Sequence, residues 1–126
     1  AACRHLKGLA MGQNLIVMHF PEAGRASRAL AELQAASAAG RLQLLQAALV
    51  QRDSRGLTLA GPDGQRLLEA AQGNVPDALA IADGAAALLA RVREFSEREV
   101  DGLAREMGVE LQRRPLPPAQ AVPGAA

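Results

Sequence analysis

Three features of this sequence predict an α+β fold. Short runs of branched aliphatic residues end at Pro, Gly or Asp, as strands do. Ala/Leu stretches with three- and four-residue spacing lie between those runs, as amphipathic helices would. The stretch from Leu42 to Ala60 reads as two antiparallel strands joined by a tight turn at Asp53-Ser54-Arg55-Gly56, and the other elements are expected to pair with it or cover it.

Asn14 to Phe20 (NLIVMHF) is short, apolar and stopped by Pro21, which favours a buried strand over a helix. Pro21-Glu22-Ala23 then opens a helix, with proline and an acid in the first turn, where a missing N–H and a negative charge are tolerated. Ala23, Ala26, Leu30, Leu33 and Ser37 make its narrow stripe, and Gly40 is expected to end it in a left-handed conformation.

In the first strand of the hairpin, Leu45, Ala47 and Leu49 alternate with Leu44, Ala48 and Val50, so both faces are apolar in the middle. Leu57 to Ala60 returns, and Gly61-Pro62-Asp63-Gly64 stops it. Residues 61–95 read as an irregular, partly helical insertion, with a short helix near 65–71, a helix or a strand at Ala78 to Ala82, and a helix from about Gly84 to Phe95.

Ser96 with Glu99 has the spacing of a capping box, and Val100, Leu103, Ala104 and Met107 form the stripe of the helix it would start. Gly108 closes that helix, and Val109 to Arg113 alternates as a half-exposed last strand. The order strand, helix, strand, strand, helix, strand predicts a ferredoxin-like βαββαβ sandwich. That is a four-stranded antiparallel sheet with helices on one face. Residues 11–114 form this single domain, 1–10 read as a leader or added extension, and 115–126 (PLPPAQAVPGAA) as a disordered tail.

Leu15 to Phe20, the helical segment Leu30 to Gln34 and the strand ending of Ala48 to Gly56 resemble the opening of a bacterial family of unassigned function. Residues 96–114 are similar in position to its closing helix and strand. The resemblance implies the ferredoxin-like core and no catalytic residues. In that family a Gly-rich, often membrane-inserted stretch separates the third strand from the closing elements. Here the central stretch is short and lacks that run.

Composition narrows the function. The net charge of +1, with arginines interleaved among acids, does not favour nucleic acid, whose phosphates call for clustered positive charge. Two Phe and no Tyr or Trp leave little to stack on bases or sugars. A single cysteine, Cys3, allows no internal disulfide and suits a reducing, cytoplasmic setting. No apolar run has the length of a membrane span, and no phosphate loop, GxSxG elbow or calcium loop is present. No cofactor or metal is expected.

His19 is the histidine to weigh as a catalytic group. Alternation places it with Leu15 and Val17, opposite Ile16, Met18 and Phe20, and a general base would need an orienting partner there. Arg52, Arg55 and Arg66 are candidate anion-binding residues near the hairpin tip, and Arg113-Arg114 is a second basic spot. The ordinary alternative for each is a solvated turn or a sheet edge kept soluble by charge.

The expected function is non-enzymatic: a regulatory or scaffolding domain that forms a homo-oligomer, most simply a dimer. One sheet face would be left bare, with Leu44, Ala48, Val50 and Leu57 or Leu59 supplying an apolar patch for association. The alternatives are a regulator binding a small anion through the hairpin arginines, and a cofactor-independent enzyme of the dimeric ferredoxin-like type with His19 in its cavity.

Overall fold

The computed structural model describes residues 12–61, 63–75 and 77–116. The elements run β1 (Gln13–Phe20), α1 (Ala23–Ala38), β2 (Leu42–Asp53), β3 (Gly56–Ala60), α2 (Gly64–Asn74), β4 (Ala86–Glu94), α3 (Arg98–Met107) and β5 (Leu111–Pro115). The strands form one sheet in the order β3-β2-β4-β1-β5. Every neighbouring pair is antiparallel.

The first strand, first helix and hairpin form where the sequence places them. α1 ends as expected: Gly40 has φ +80°, its amide donates to the Ser37 carbonyl and Arg41 N–H donates to Ala36. Those two bonds satisfy carbonyls that a helix end otherwise leaves open. Gly108, at φ +70°, ends α3 in the same way.

Among the described residues five strands are present, not four, and the added one changes the sheet. Residues 86–94, expected as helix, form β4, which lies between β2 and β1 at the centre. AALLARVRE is composed of good helix formers, but both of its faces are covered. Such a strand shows no two-residue alternation, so it cannot be told from a buried helix by pattern. The insertion therefore comprises β3's exit, α2 and the segment before β4, while β4 belongs to the core.

Helices also lie on both faces, not on one. On the front face Ile16, Met18, Phe20, Leu88 and Val92 are buried against Ala29 and Leu33 of α1 and Val100 and Leu103 of α3. On the back face Leu15, Val17, Ala48, Val50 and Leu89 are buried with Leu67 and Ala71 of α2 and with Val75, Ala78 and Ile81. Arg25 donates to the Met107 carbonyl and so ties the start of α1 to the end of α3.

The sheet face expected to be bare is accordingly covered, although Leu57 remains exposed. Ala48 and Val50 are buried against α2, and Leu44 packs on the opposite, front core. A β-bulge between Leu44 and Gln46 causes that change of face: Leu45 is the extra residue, so the alternation restarts after it.

Two smaller expectations also change. Ser96 and Glu99 make no capping box: α3 is preceded by Glu97 without a side-chain cap, Ser96 Oγ accepts the Arg98 amide, and Glu99 pairs with Arg41 at 2.8 Å. Nor does the tail begin at Pro115, because that residue pairs with Asn14 and Leu116 is buried, its amide donating to Gln13. The supposed extension 1–10 and the remainder of the tail lie outside the described residues.

Candidate functional site

Alternation along β4 sets polar groups on opposite faces near its end, with Arg91 and Arg93 to the back and Glu94 to the front. Glu94, its side chain 2% exposed, accepts hydrogen bonds from Arg113 Nε at 2.7 Å, Arg113 Nη2 at 2.8 Å and Asn14 Nδ2 at 2.8 Å. Arg113 also meets Asp101 at 3.0 Å. Burial disfavours the Arg113 charge, but hydrogen bonds and attraction from Glu94 and Asp101 outweigh it and hold the pKa above its ordinary value. Glu94 is thus occupied by three donors, an arrangement that holds strands together and leaves little of the carboxylate for proton transfer.

A cleft of about 410 Å³ borders this network, between Asn14, Phe95, Ser96 and Pro115. A groove of about 350 Å³ separates α1 from α3, floored by Leu33, Leu42 and Leu103 and rimmed by Glu32, Arg98 and Glu106. Among the described residues neither cleft is lined by a histidine or a serine–histidine pair.

His19 faces the back of the sheet, as expected. Its Nε2 lies 2.8 Å from the Ala78 carbonyl. A carbonyl only accepts, so Nε2 carries the proton and donates. The ring is thereby a fastener for the 75–81 segment, and the partner is a backbone group instead of an orienting acid.

The three arginines proposed around the hairpin tip lie on different elements. Arg55 is exposed in the turn itself and Arg52 is half-buried at the end of β2. Arg66, in the first turn of α2, acts electrostatically on Arg91, whose cross-strand neighbour is Gln46. Gln46 is six residues from Arg52 along β2, or about 20 Å at the usual strand rise. Arg113 joins the Glu94 network while Arg114 is exposed on the outer strand. Among the described residues no group of three or more His, Cys, Asp or Glu is arranged to hold a metal, and no helix is long and apolar enough to cross a membrane.

Sequence reading missed Arg91, which lies in the stretch expected to be helical. Its Nη1 donates to Gln46 Oε1 at 2.9 Å, and the residue is 8% exposed. A buried arginine cannot be recognised until the strand that buries it is.

No family model, curated protein or solved structure matches this chain.

Proposed function

We propose that this chain is a small, non-enzymatic α+β domain that self-associates through the edge of β3 and serves a regulatory or scaffolding role. The reading takes β1-α1-β2 and β4-α3-β5 as a ferredoxin-like core, since these strands have the order β2-β4-β1-β5 with both helices on the front. β3 and α2 are then additions, and they cover the back face and set a new edge.

The state of that edge carries the proposal. Arg52 N–H donates to the Ala85 carbonyl, and its own carbonyl accepts from Gly84, so Arg52 turns its backbone groups away from β3. Alternation then turns Gln51 and Asp53 toward Thr58 and Gly56, their partners in β3. Leu57 and Leu59 are left with N–H and C=O directed outward, and Leu57 is 37% exposed. Nothing in GLTLA is charged or proline.

The other edges carry the usual protection. β5 has two arginines and Pro115. The part of β2 that β3 does not reach is closed by Ser37 Oγ, which accepts the Leu44 amide, and by Gly61, whose backbone passes against Ala47 and Ala48.

The occupant this edge fits is a second copy. Antiparallel pairing about Thr58 sets Leu57 of one copy opposite Leu59 of the other, and their outward groups match. Arg55 precedes β3 and Asp63 follows it, so the same pairing carries the cation of each copy toward the acid of the other. The test is sedimentation of the full chain beside Thr58→Lys and Thr58→Glu, each of which sets like charges opposite one another across the two-fold. The wild type is expected to be dimeric, each variant monomeric, and an equimolar mixture of the two variants dimeric again. A wild type that stays monomeric at the highest concentration it tolerates, or variants that dimerise as it does, would overturn the reading.

A further inference from the structure

Arg91 is buried and Arg113 half-buried in the sheet, and their surroundings differ. Arg113 has Glu94 and Asp101 within 3.0 Å. Arg91 has a neutral amide, Gln46, as its hydrogen-bond partner, and its Nε is buried with no partner. Among the described residues no carboxylate lies within ion-pair distance of it. A guanidinium removed from water without an anion is costly, because an amide dipole does not replace a counter-charge.

The neighbouring groups deepen the deficit. Arg93, two residues on, is bonded to another neutral amide, Gln43. Arg114 stands beyond Leu15 in the same cross-strand row as Arg91. Arg66, in the first turn of α2, and Asp63, just before it, are the charges on that side that act on Arg91. Burial pushes the Arg91 pKa down, Arg66 adds to the effect and Asp63 opposes it.

We propose that Arg91 and Arg66, with Gln46 orienting the Arg91 guanidinium, form a binding site for a small oxyanion, a phosphate or carboxylate group, between β4 and the first turn of α2. Guanidinium forks match the oxygens of both groups, and a planar donor fixed by an amide loses little freedom on binding. The ligand is small because Arg91 is 8% exposed, too enclosed for a polymer backbone to reach. This site is independent of the β3 edge and lies away from the hairpin tip.

Calorimetric titration of the full chain with inorganic phosphate and, separately, with succinate tests it, using sodium chloride at matched ionic strength as reference. Saturable binding is expected with one or both. Arg66→Gln, at an exposed position, should weaken it by about tenfold, the usual worth of a charge-assisted bond. Arg91→Gln should abolish it, and Arg55→Gln should leave it unchanged. A response to phosphate alone assigns a phosphate ligand, and a response to succinate alone a carboxylate.

If Arg91→Gln fails to fold, the side-chain Nε–H resonance of Arg91 in the wild type decides. It should shift with the titrated anion and not with chloride. No binding beyond that of chloride, binding that survives Arg66→Gln undiminished, or an Arg91 Nε–H signal that never moves would each overturn the site.

Discussion

Arg113 of β5 reaches past β1 to grip Glu94 of β4 with two hydrogen bonds, at 2.7 and 2.8 Å, and so links an edge strand to the strand at the sheet's centre. Only 15% of the arginine side chain and 2% of the glutamate are exposed, so removing one partner strands the other's charge out of water. Arg113→Met should therefore cost about 3 kcal/mol, and the double variant Arg113→Met/Glu94→Leu should cost less than that single one. Urea unfolding of the set measures both. The linkage sign is that of a base whose pKa rises on folding. Its stabilisation is complete below the ordinary arginine range and is lost only as pH climbs through and above it. The cost of Arg113→Met should hence be constant from about pH 6 to 9.

Leu67 tests whether α2 is a true second layer. It is fully buried on the back face with Ala48, Val50 and Leu89. Leu67→Ala should cost about 2–5 kcal/mol, as for a core leucine on α1 such as Leu33, whereas a surface helix would lose almost nothing. Equal urea midpoints for Leu67→Ala and wild type would remove α2 from the core.

Where pattern and burial agree, the fold is legible in the sequence. β1 has a short apolar run stopped by Pro21, the β2–β3 hairpin has its turn residues, and α3 has a clear stripe ended by Gly108. β4 fails for a physical reason: Leu88 and Leu89 are both fully buried, on opposite faces, so neither a two- nor a 3.6-residue period survives. The expectation of a one-sided sheet goes with that of a helical 84–95, because a hairpin without β4 offers no reason for α2 to cross the back. The face of His19 was legible, but its partner was not. Ala78 is 59 residues away and contributes a carbonyl, which no side-chain pattern announces.

Gly61 and Gly56 bound β3 and should respond differently to the same change. Both have φ values that L side chains rarely adopt, +121° and +126°. A Cβ at Gly56 meets open space, while one at Gly61 would lie 2.8 Å from the Ala47 carbonyl and 3.3 Å from Ala48 Cα. Gly56→Ala should cost about 1–2 kcal/mol, from backbone strain alone. Gly61→Ala should cost about 1–3 kcal/mol more, from the displaced strand. Denaturant midpoints at constant slope separate the two. Equal costs would mean that the chain at Gly61 does not pass so close to β2.

His19 and Asp77 act on the same short segment in opposite directions. Asp77 has φ +60°, unusual for a residue with a Cβ and a source of local strain, and the next residue is held by the His19 ring through its carbonyl. Beyond it, the Ala80 and Ile81 amides close short turns onto Asp77 and Leu79, so the segment has little backbone ladder of its own. Ala78 and Ile81 are nonetheless buried on the back face, and the His19 bond fixes the chain that carries them there. His19→Ala should cost about 1 kcal/mol, a typical net value for one hydrogen bond. Its effect should also be local: hydrogen exchange should quicken at residues 78–85 and stay slow in the β1–β4 ladder. Asp77→Gly relieves the strain without touching the bond, and should leave exchange at these amides unchanged or slower. Uniform acceleration across the sheet in His19→Ala would instead make the histidine part of the global core, with no separate hold on this segment.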